Sequence, residues 1–257
     1  MKKTEIPGSR RVRHLNIQKI PDAEINPSLF YGKFAAWKPY EQKDSDKTDH
    51  VAQLIKQGCW CDPKNLADYL HSGAKTFTMQ TETKLLIGRG TPSVFEQGIS
   101  LHPLFGLPFL PGSAIKGVTA HWAAANGEDA ELREQIFGPP PPDDKESELS
   151  QGKVVFLDAV PLAQKCLEKD VLAPHYQNYY GDKKNSIWPS DKEGPNVFFL
   201  PAVKRDITFQ FAVQLAAAAK VEEQLLDKAQ EWIQSALQEF GIGSKTGSNY
   251  GYFLLGE

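Results

Sequence analysis

Val203-Lys-Arg-Asp-Ile-Thr-Phe-Gln-Phe-Ala-Val-Gln-Leu215 sets Ile207, Phe209, Phe211, Val213 and Leu215 at alternate positions, with Asp206, Thr208, Gln210 and Gln214 between them. A period of two predicts a strand with one buried and one wet face, which antiparallel sheets allow. Past Val221 the period changes. Leu225, Ala229, Trp232, Ile233, Ala236, Leu237 and Phe240 recur at helical spacing, and Gly241 stops the helix. Tyr250–Leu255 then reads as a closing strand.

Working outward, Phe77, Met79, Leu85 and Ile87 alternate with Thr78, Gln80, Glu82 and Lys84, a half-buried strand that Gly88-Arg89-Gly90 ends. Ser113 is the expected cap of a helix running through Ile115, Val118, His121 and Trp122 to Gly127. Lys153–Val160 is an apolar strand broken only by Asp158, either a buried acid or a bend residue. The resulting order is strand, helix, strand, strand, helix, strand. That is the split arrangement of an α+β, ferredoxin-like (RRM-like) βαββαβ domain, with both helices on one face of a four-stranded antiparallel sheet.

Two regions lie outside this plan. Residues 1–73 read as a basic arm followed by a mostly helical extension, with Asp62 an N-cap, Pro63 at the first helical position and Gly73 a stop. Residues 161–201 lack a clear period and form a long insertion into the 74–257 domain. The insertion carries Tyr176, Tyr179, Tyr180, Trp188, Phe198 and Phe199 beside His175, Lys183 and Lys184. Rings interleaved with lysines suit stacking on exposed bases, or a small apolar cluster of the insertion's own. Asp143–Glu148, beside a run of prolines, reads as a solvated acidic loop.

With 257 residues the chain can bury a full core as one large domain or two small ones. No apolar run approaches the roughly 18 residues a membrane span needs, since Phe211–Ala219 is short and interrupted by Gln214. The basic N-terminus lacks the apolar stretch of a secretory signal, so a cytoplasmic protein with no membrane association is expected. Cys59, Cys61 and Cys166 are too few for a disulfide framework. Cys59-Trp60-Cys61 lacks the spacing of a zinc knuckle, although His50 and His71 are near in sequence, so neither metal nor cofactor is expected. The net charge of −3 counts against a nucleic-acid partner, but its distribution does not: Lys2, Lys3, Arg10, Arg11, Arg13 and Lys19 against Glu5 give residues 1–20 a charge of +5 and leave −8 elsewhere.

Gly241-Ile-Gly-Ser-Lys-Thr-Gly-Ser-Asn-Tyr-Gly251 is the richest stretch for function. Its four glycines allow positive φ and close backbone approach, so successive N–H groups can face one anion, with Lys245 adding charge. A P-loop needs Gly directly before its Lys-Thr and a following helix; here Ser244 precedes Lys245 and the order is helix, loop, strand. Two readings stay open: a loop that cradles a phosphate backbone, and a long Gly-capped turn. Lys116, in the first turn of the helix that Ser113 opens, is unfavourable for the helix dipole. It marks either a second phosphate site or a solvated side chain.

Leu110-Pro-Gly-Ser-Ala-Ile-Lys116-Gly, Ile136-Phe137-Gly138, Lys153-Val-Val-Phe-Leu-Asp158-Ala and Gly241-Ile-Gly-Ser-Lys-Thr246 together resemble the RAMP superfamily. Within it, the Phe-Leu-Asp-Ala-Val-Pro run is similar to the small RAMP subunit at the guide 3′ end of the type III-B CRISPR (Cmr) effector. The resemblance covers residues 76–255. It implies a non-catalytic subunit of an RNA-guided, RNA-targeting antiviral complex, with crRNA, target RNA and other RAMP subunits of the Cmr complex as partners. It implies RNA contacts from Gly241, Gly243, Ser244, Lys245 and Thr246, with Ser113, Lys116 and Arg89 as further candidates. The target-cutting RAMP subunit uses a loop Asp, and the loop after the first strand here offers Glu96 but no Asp. The alternative is a metal-independent endoribonuclease of the guide-processing type, with His102 or His175 as its base, since His121 falls in the helix where a packed or surface imidazole is the common outcome.

Overall fold

The computed structural model describes residues 26, 28, 51, 52, 54–56, 62–90, 98–139, 151–173, 176, 179, 181, 188, 194, 195, 197–217 and 222–256. The basic arm, Cys59, Cys61, Glu96, His175, Lys183, Lys184 and the acidic loop lie outside them. In chain order the elements are α1 (Pro63–Leu70), β1 (Lys75–Thr81), α2 (Gly112–Ala125), α3 (Ala130–Phe137), β2 (Val154–Phe156), β3 (Val160–Pro161), β4 (Leu167–Leu172), β5 (Phe198–Val203), β6 (Thr208–Leu215), α4 (Glu223–Glu239) and β7 (Phe253–Leu255). The main sheet runs β2-β6-β1-β7, with β3 also on β6, and β4-β5 form a separate pair. All pairings are antiparallel.

The alternation in β6 does what its period requires. Phe209, Phe211 and Val213 are buried on the helix side with Met79 and Phe253, and the Phe253 ring meets both Phe209 and Phe211 edge-on at 5.7 Å. Helix α4 buries Leu225, Ala229, Trp232, Ile233, Ala236 and Leu237 against this face. Helix α2 lies beside it: Trp122 Nε1 donates to Glu239 Oε2 at 2.9 Å and the His121 ring meets Phe240 at 5.3 Å. Farther along, Glu128, just past α2, is in electrostatic reach of Lys228 in α4. The Trp122 and His121 contacts set the last turn of α2 beside the end of α4, just before the glycine-rich loop.

The opposite face of the sheet is polar, with Thr76, Thr78, Gln80, Thr208, Gln210 and Gln214 at the intervening positions. Part of it is covered by the segment after α1. Buried His71 sits there with its Nε2 2.8 Å from the Asp158 carbonyl and its Nδ1 3.0 Å from Gln210 Nε2. Gln210 donates, so Nδ1 accepts and the Nε2 proton goes to the carbonyl. Asp62 does cap α1, accepting from Lys64 N.

Several sequence boundaries are corrected. Val203 belongs to β5, not to the strand that follows. The polar Lys204-Arg205-Asp206 makes a turn between them, with Asp206 at φ 59°, a left-handed conformation that Asp tolerates. Thr81 locks that turn, its hydroxyl donating to Lys204 O at 2.8 Å and accepting from Ile207 N at 3.0 Å. The strand expected through Ile87 stops at Thr81 and resumes as an extended segment. Lys153–Val160 breaks at Leu157–Ala159, and Asp158 is an exposed bend residue. The closing strand begins at Phe253 rather than Tyr250. Part of the aperiodic insertion is ordered as the β4-β5 hairpin.

Candidate functional site

The helix-start motif is a joint between two of the segments that carried the resemblance. Pro111, not Ser113, occupies the cap position of α2, and it offers no side-chain bond. The cap comes from across the fold: Gly112 N donates to Asp158 Oδ1 at 2.7 Å. A Cβ at residue 112 would stand 2.1 Å from Phe156 O, so only glycine permits this approach. Ala114 and Ile115 donate to Pro111 O, leaving of the first turn only the Ser113 amide unpartnered among the described residues. A carboxylate thus already occupies the positive end of the helix, where a phosphate was one of the two readings. Lys116, half-buried, lines a shallow depression of about 230 Å³ with Ser113, Gln151 and Gly152.

The glycine-rich loop divides into a sealed stem and an open tip. In the stem, Gly241 N donates to Ala236 O at 3.2 Å, Ile242 N to Gly251 O at 2.9 Å, Ser244 N to Leu86 O at 2.8 Å and Gly251 N to Lys84 O at 2.8 Å. Gly243 and Gly251 have φ 98° and 79°, and a Cβ on either would lie 2.5 Å and 1.9 Å from Leu86 O and Ile242 O. These glycines are therefore needed to close the stem.

At the tip, Thr246–Ser248 form a single 3-10 turn flanked by Lys245 and Asn249, both at φ 63°. Such a conformation in lysine costs about 1 kcal/mol or more, and the bonds from Ser248 N to Lys245 O and Asn249 N to Thr246 O hold it. The Tyr252 hydroxyl also donates to Thr246 O at 3.3 Å. Lys245 and Gly247 are exposed and Thr246 is half-buried. The amides of Gly243, Lys245, Thr246 and Gly247 have no partner among the described residues. The tip therefore presents three consecutive N–H donors and one ammonium, with no carboxylate paired to that lysine among the described residues.

Arg89 lies beside this loop, close enough to Tyr250 to act on its hydroxyl electrostatically. Tyr250 reaches the other way, donating to Asp170 Oδ2 at 2.8 Å, while Lys84 Nζ pairs with Asp170 Oδ1 and Glu168 Oε1, each at 3.0 Å. Burial pushes the Asp170 carboxyl up, but the bonds from Lys84 and Tyr250 outweigh it and hold the group below its ordinary value. The same bonds, from Asp170 first and Glu168 next, raise Lys84. Sequence reasoning missed this network because its members lie 80 or more residues apart in two cases, Tyr250 with Asp170 and Lys84 with Asp170. No local signal marked it, because Asp170 follows Glu168 and Lys169 in β4 and reads as one more polar residue of the strand.

Among the described residues, no contact joins His102 or His121 to the tip of the loop. His102 lies against the Phe105 and Phe109 rings at 4.7 and 5.6 Å, and burial draws its imidazole below the ordinary value against the pull of Asp158. His121 packs on Phe240. Burial pushes the Cys166 thiol up to about 12, which leaves it an inert core group. The open sheet face carries no aromatic ring in these strands, because Phe77, Phe156, Phe209, Phe211 and Phe253 all lie on the helix side. Base stacking of the RRM kind has no platform there.

Comparison with known proteins agrees with the motifs. Residues 78–253 match the model of the RAMP superfamily. The CRISPR system Cmr subunit Cmr6 of Pyrococcus furiosus is 30% identical, over 74% of this chain and 70% of its own length. The corresponding Cmr6 subunit of Saccharolobus solfataricus is 28% identical, over 68% of this chain and 61% of its own length. Among solved structures, a chain of the type III-B Cmr-beta complex bound to cognate target RNA superposes with a TM-score of 0.62 at 22% identity, covering 96% of this chain and 85% of that one. No helix among the described residues is long and apolar enough to cross a membrane.

Proposed function

Because the chain belongs to the RAMP superfamily and is related to the Cmr6 subunits of CRISPR Cmr systems, we propose that it is a non-catalytic crRNA-binding and assembly subunit of a type III-B effector. The observation that carries this reading is the loop tip. Its amides at Lys245, Thr246 and Gly247, without a partner among the described residues, and the exposed Lys245 ammonium suit the sugar-phosphate chain rather than a particular base. Gly241, Gly243 and the Ser244 amide serve by closing the stem beneath that tip, and Arg89 extends the basic surface beside it. Lys116 and Ser113, at the start of α2, add a separate secondary contact, weaker because Asp158 already sits at that terminus.

The sheet order β7-β1-β6-β2, with α2 and α4 packed on one face, supports reading residues 74–257 as a ferredoxin-like domain with an insertion, and residues 1–73 as its extension. The relatives support other Cmr subunits and RNA as partners. The test is a salt titration of single-stranded RNA binding by the intact protein. Lys245→Ala is expected to weaken binding at low salt and to flatten the log–log salt dependence by about 0.7, the share of one phosphate contact on a single strand. Unchanged affinity and slope, with the fold intact by circular dichroism, would overturn the assignment.

A further inference from the structure

The glycine-rich loop is held by the insertion as well as by its own helix and strand. Residues 84–87 run extended between the loop and the β4-β5 hairpin, and their carbonyls alternate. Lys84 O and Leu86 O accept from Gly251 N and Ser244 N of the loop, each at 2.8 Å, whereas Leu85 exchanges both backbone bonds with Val203 of β5, at 3.0 and 2.9 Å. One extended segment thus ties the loop stem to the hairpin.

Side chains make a second tie on the same path. Asp170 of β4, only 8% exposed, accepts from Lys84 through one carboxylate oxygen and from the Tyr250 hydroxyl through the other. The Tyr250 ring packs on the small cluster of Leu86, Leu200 and Ala202, which joins segment and hairpin. A buried carboxylate is stable only while its partners stay in place, so Asp170 and Tyr250 fix one another. Tyr250 follows the exposed tip directly, after Asn249.

We propose that Asp170 of the insertion is a positioning residue for the RNA-gripping tip, acting through the Tyr250 hydroxyl, so that the seating of the hairpin on the domain sets the geometry of the loop. This rests on the reading of the tip as the RNA contact, which the insertion itself does not touch in this scheme. It gives the insertion a role at the site without any contact of its own to the phosphate.

Tyr250→Phe tests it with little risk to folding, because the ring and its packing remain and only the hydroxyl is lost. In the full chain at low salt, Tyr250→Phe is expected to weaken binding of a labelled single-stranded RNA about fivefold, the effect of roughly one net hydrogen bond. Amide hydrogen exchange within residues 241–251 is expected to quicken while α2 and α4 keep their protection. Asp170→Ala should act in the same direction, and adding it to Tyr250→Phe should weaken RNA binding less than it does in the wild-type chain, since the two share one path. If Lys245→Ala lowers affinity while Tyr250→Phe alters neither affinity nor loop exchange, the positioning role is overturned even if the unfolding midpoint falls. Unaltered affinity in Lys245→Ala overturns the RNA reading instead, and the proposal with it.

Discussion

Gly243→Ala and Gly247→Ala form a matched pair within one loop, and their difference tests whether the stem needs the close approach described above. At position 243 the backbone has φ 98° and an added Cβ would meet Leu86 O at 2.5 Å and the Leu85 side chain at 3.1 Å. Relieving that clash moves Ser244 away from the same Leu86 carbonyl, to which its amide donates at 2.8 Å. A left-handed non-glycine residue costs about 1–2 kcal/mol and a lost backbone bond about 1 kcal/mol, so a total of about 2–3 kcal/mol is expected. For a domain of this size each kcal/mol lowers the thermal midpoint by about 2–4 °C, so the shift should be about 4–12 °C. At Gly247 an added Cβ would meet no atom within 4 Å and φ is not positive, so alanine there should change stability by less than about 0.5 kcal/mol. Differential scanning calorimetry of the two variants beside the wild type decides it. Equal midpoints for Gly243→Ala and Gly247→Ala would refute the claim that the loop stem is built on backbone contact.

Three further outcomes follow from the same contacts. Asp158→Ala removes the acceptor for Gly112 N and should cost about 1 kcal/mol in urea unfolding, with Asp158→Asn retaining much of it because an amide oxygen can still accept. Trp232→Ala should cost about 3–5 kcal/mol, since the side chain is fully buried and stacks on Phe137 at 5.8 Å. The Lys84-Asp170-Tyr250 network also sets a pH window. The Asp170 carboxyl is depressed in the folded state, so its contribution is present above the ordinary aspartate value of about 4 and is lost as pH falls below it. Lys84 and Tyr250 are both raised, so theirs is present below about 10 and is lost as pH rises past it. Removing Asp170 by substitution with Ala should abolish the acid limb of this window in a stability–pH profile.

The period of the side chains located the main strands and both long helices, because β6 and α4 each bury one continuous face against the same core. What period could not show were the places where the chain leaves a sheet for one tight turn. Asp206 and Asp158 are such points, and both are short polar residues at which an apolar strand pattern continues across a break. The loop's chemistry was legible in its glycines, but not its division. Whether a glycine serves by conformational freedom or by leaving an amide bare depends on which backbone lies against it, and Leu86 is more than 150 residues away from Gly243 in the chain. Ser113 was misread for the same reason, as the cap of α2 is supplied by Asp158 from the break between β2 and β3, distant in the chain. The polar face of the sheet was visible in Thr76, Thr78 and Gln80, whose short or flexible side chains offer no surface on which a base can stack.

The most direct test is photochemical crosslinking of the assembled complex to its guide RNA, with the attached peptides identified by mass spectrometry. Crosslinks within residues 241–251 are the predicted result, centred on the exposed tip at Lys245–Gly247. A crosslinking pattern that leaves this loop untouched while marking other surfaces of the same subunit would contradict it.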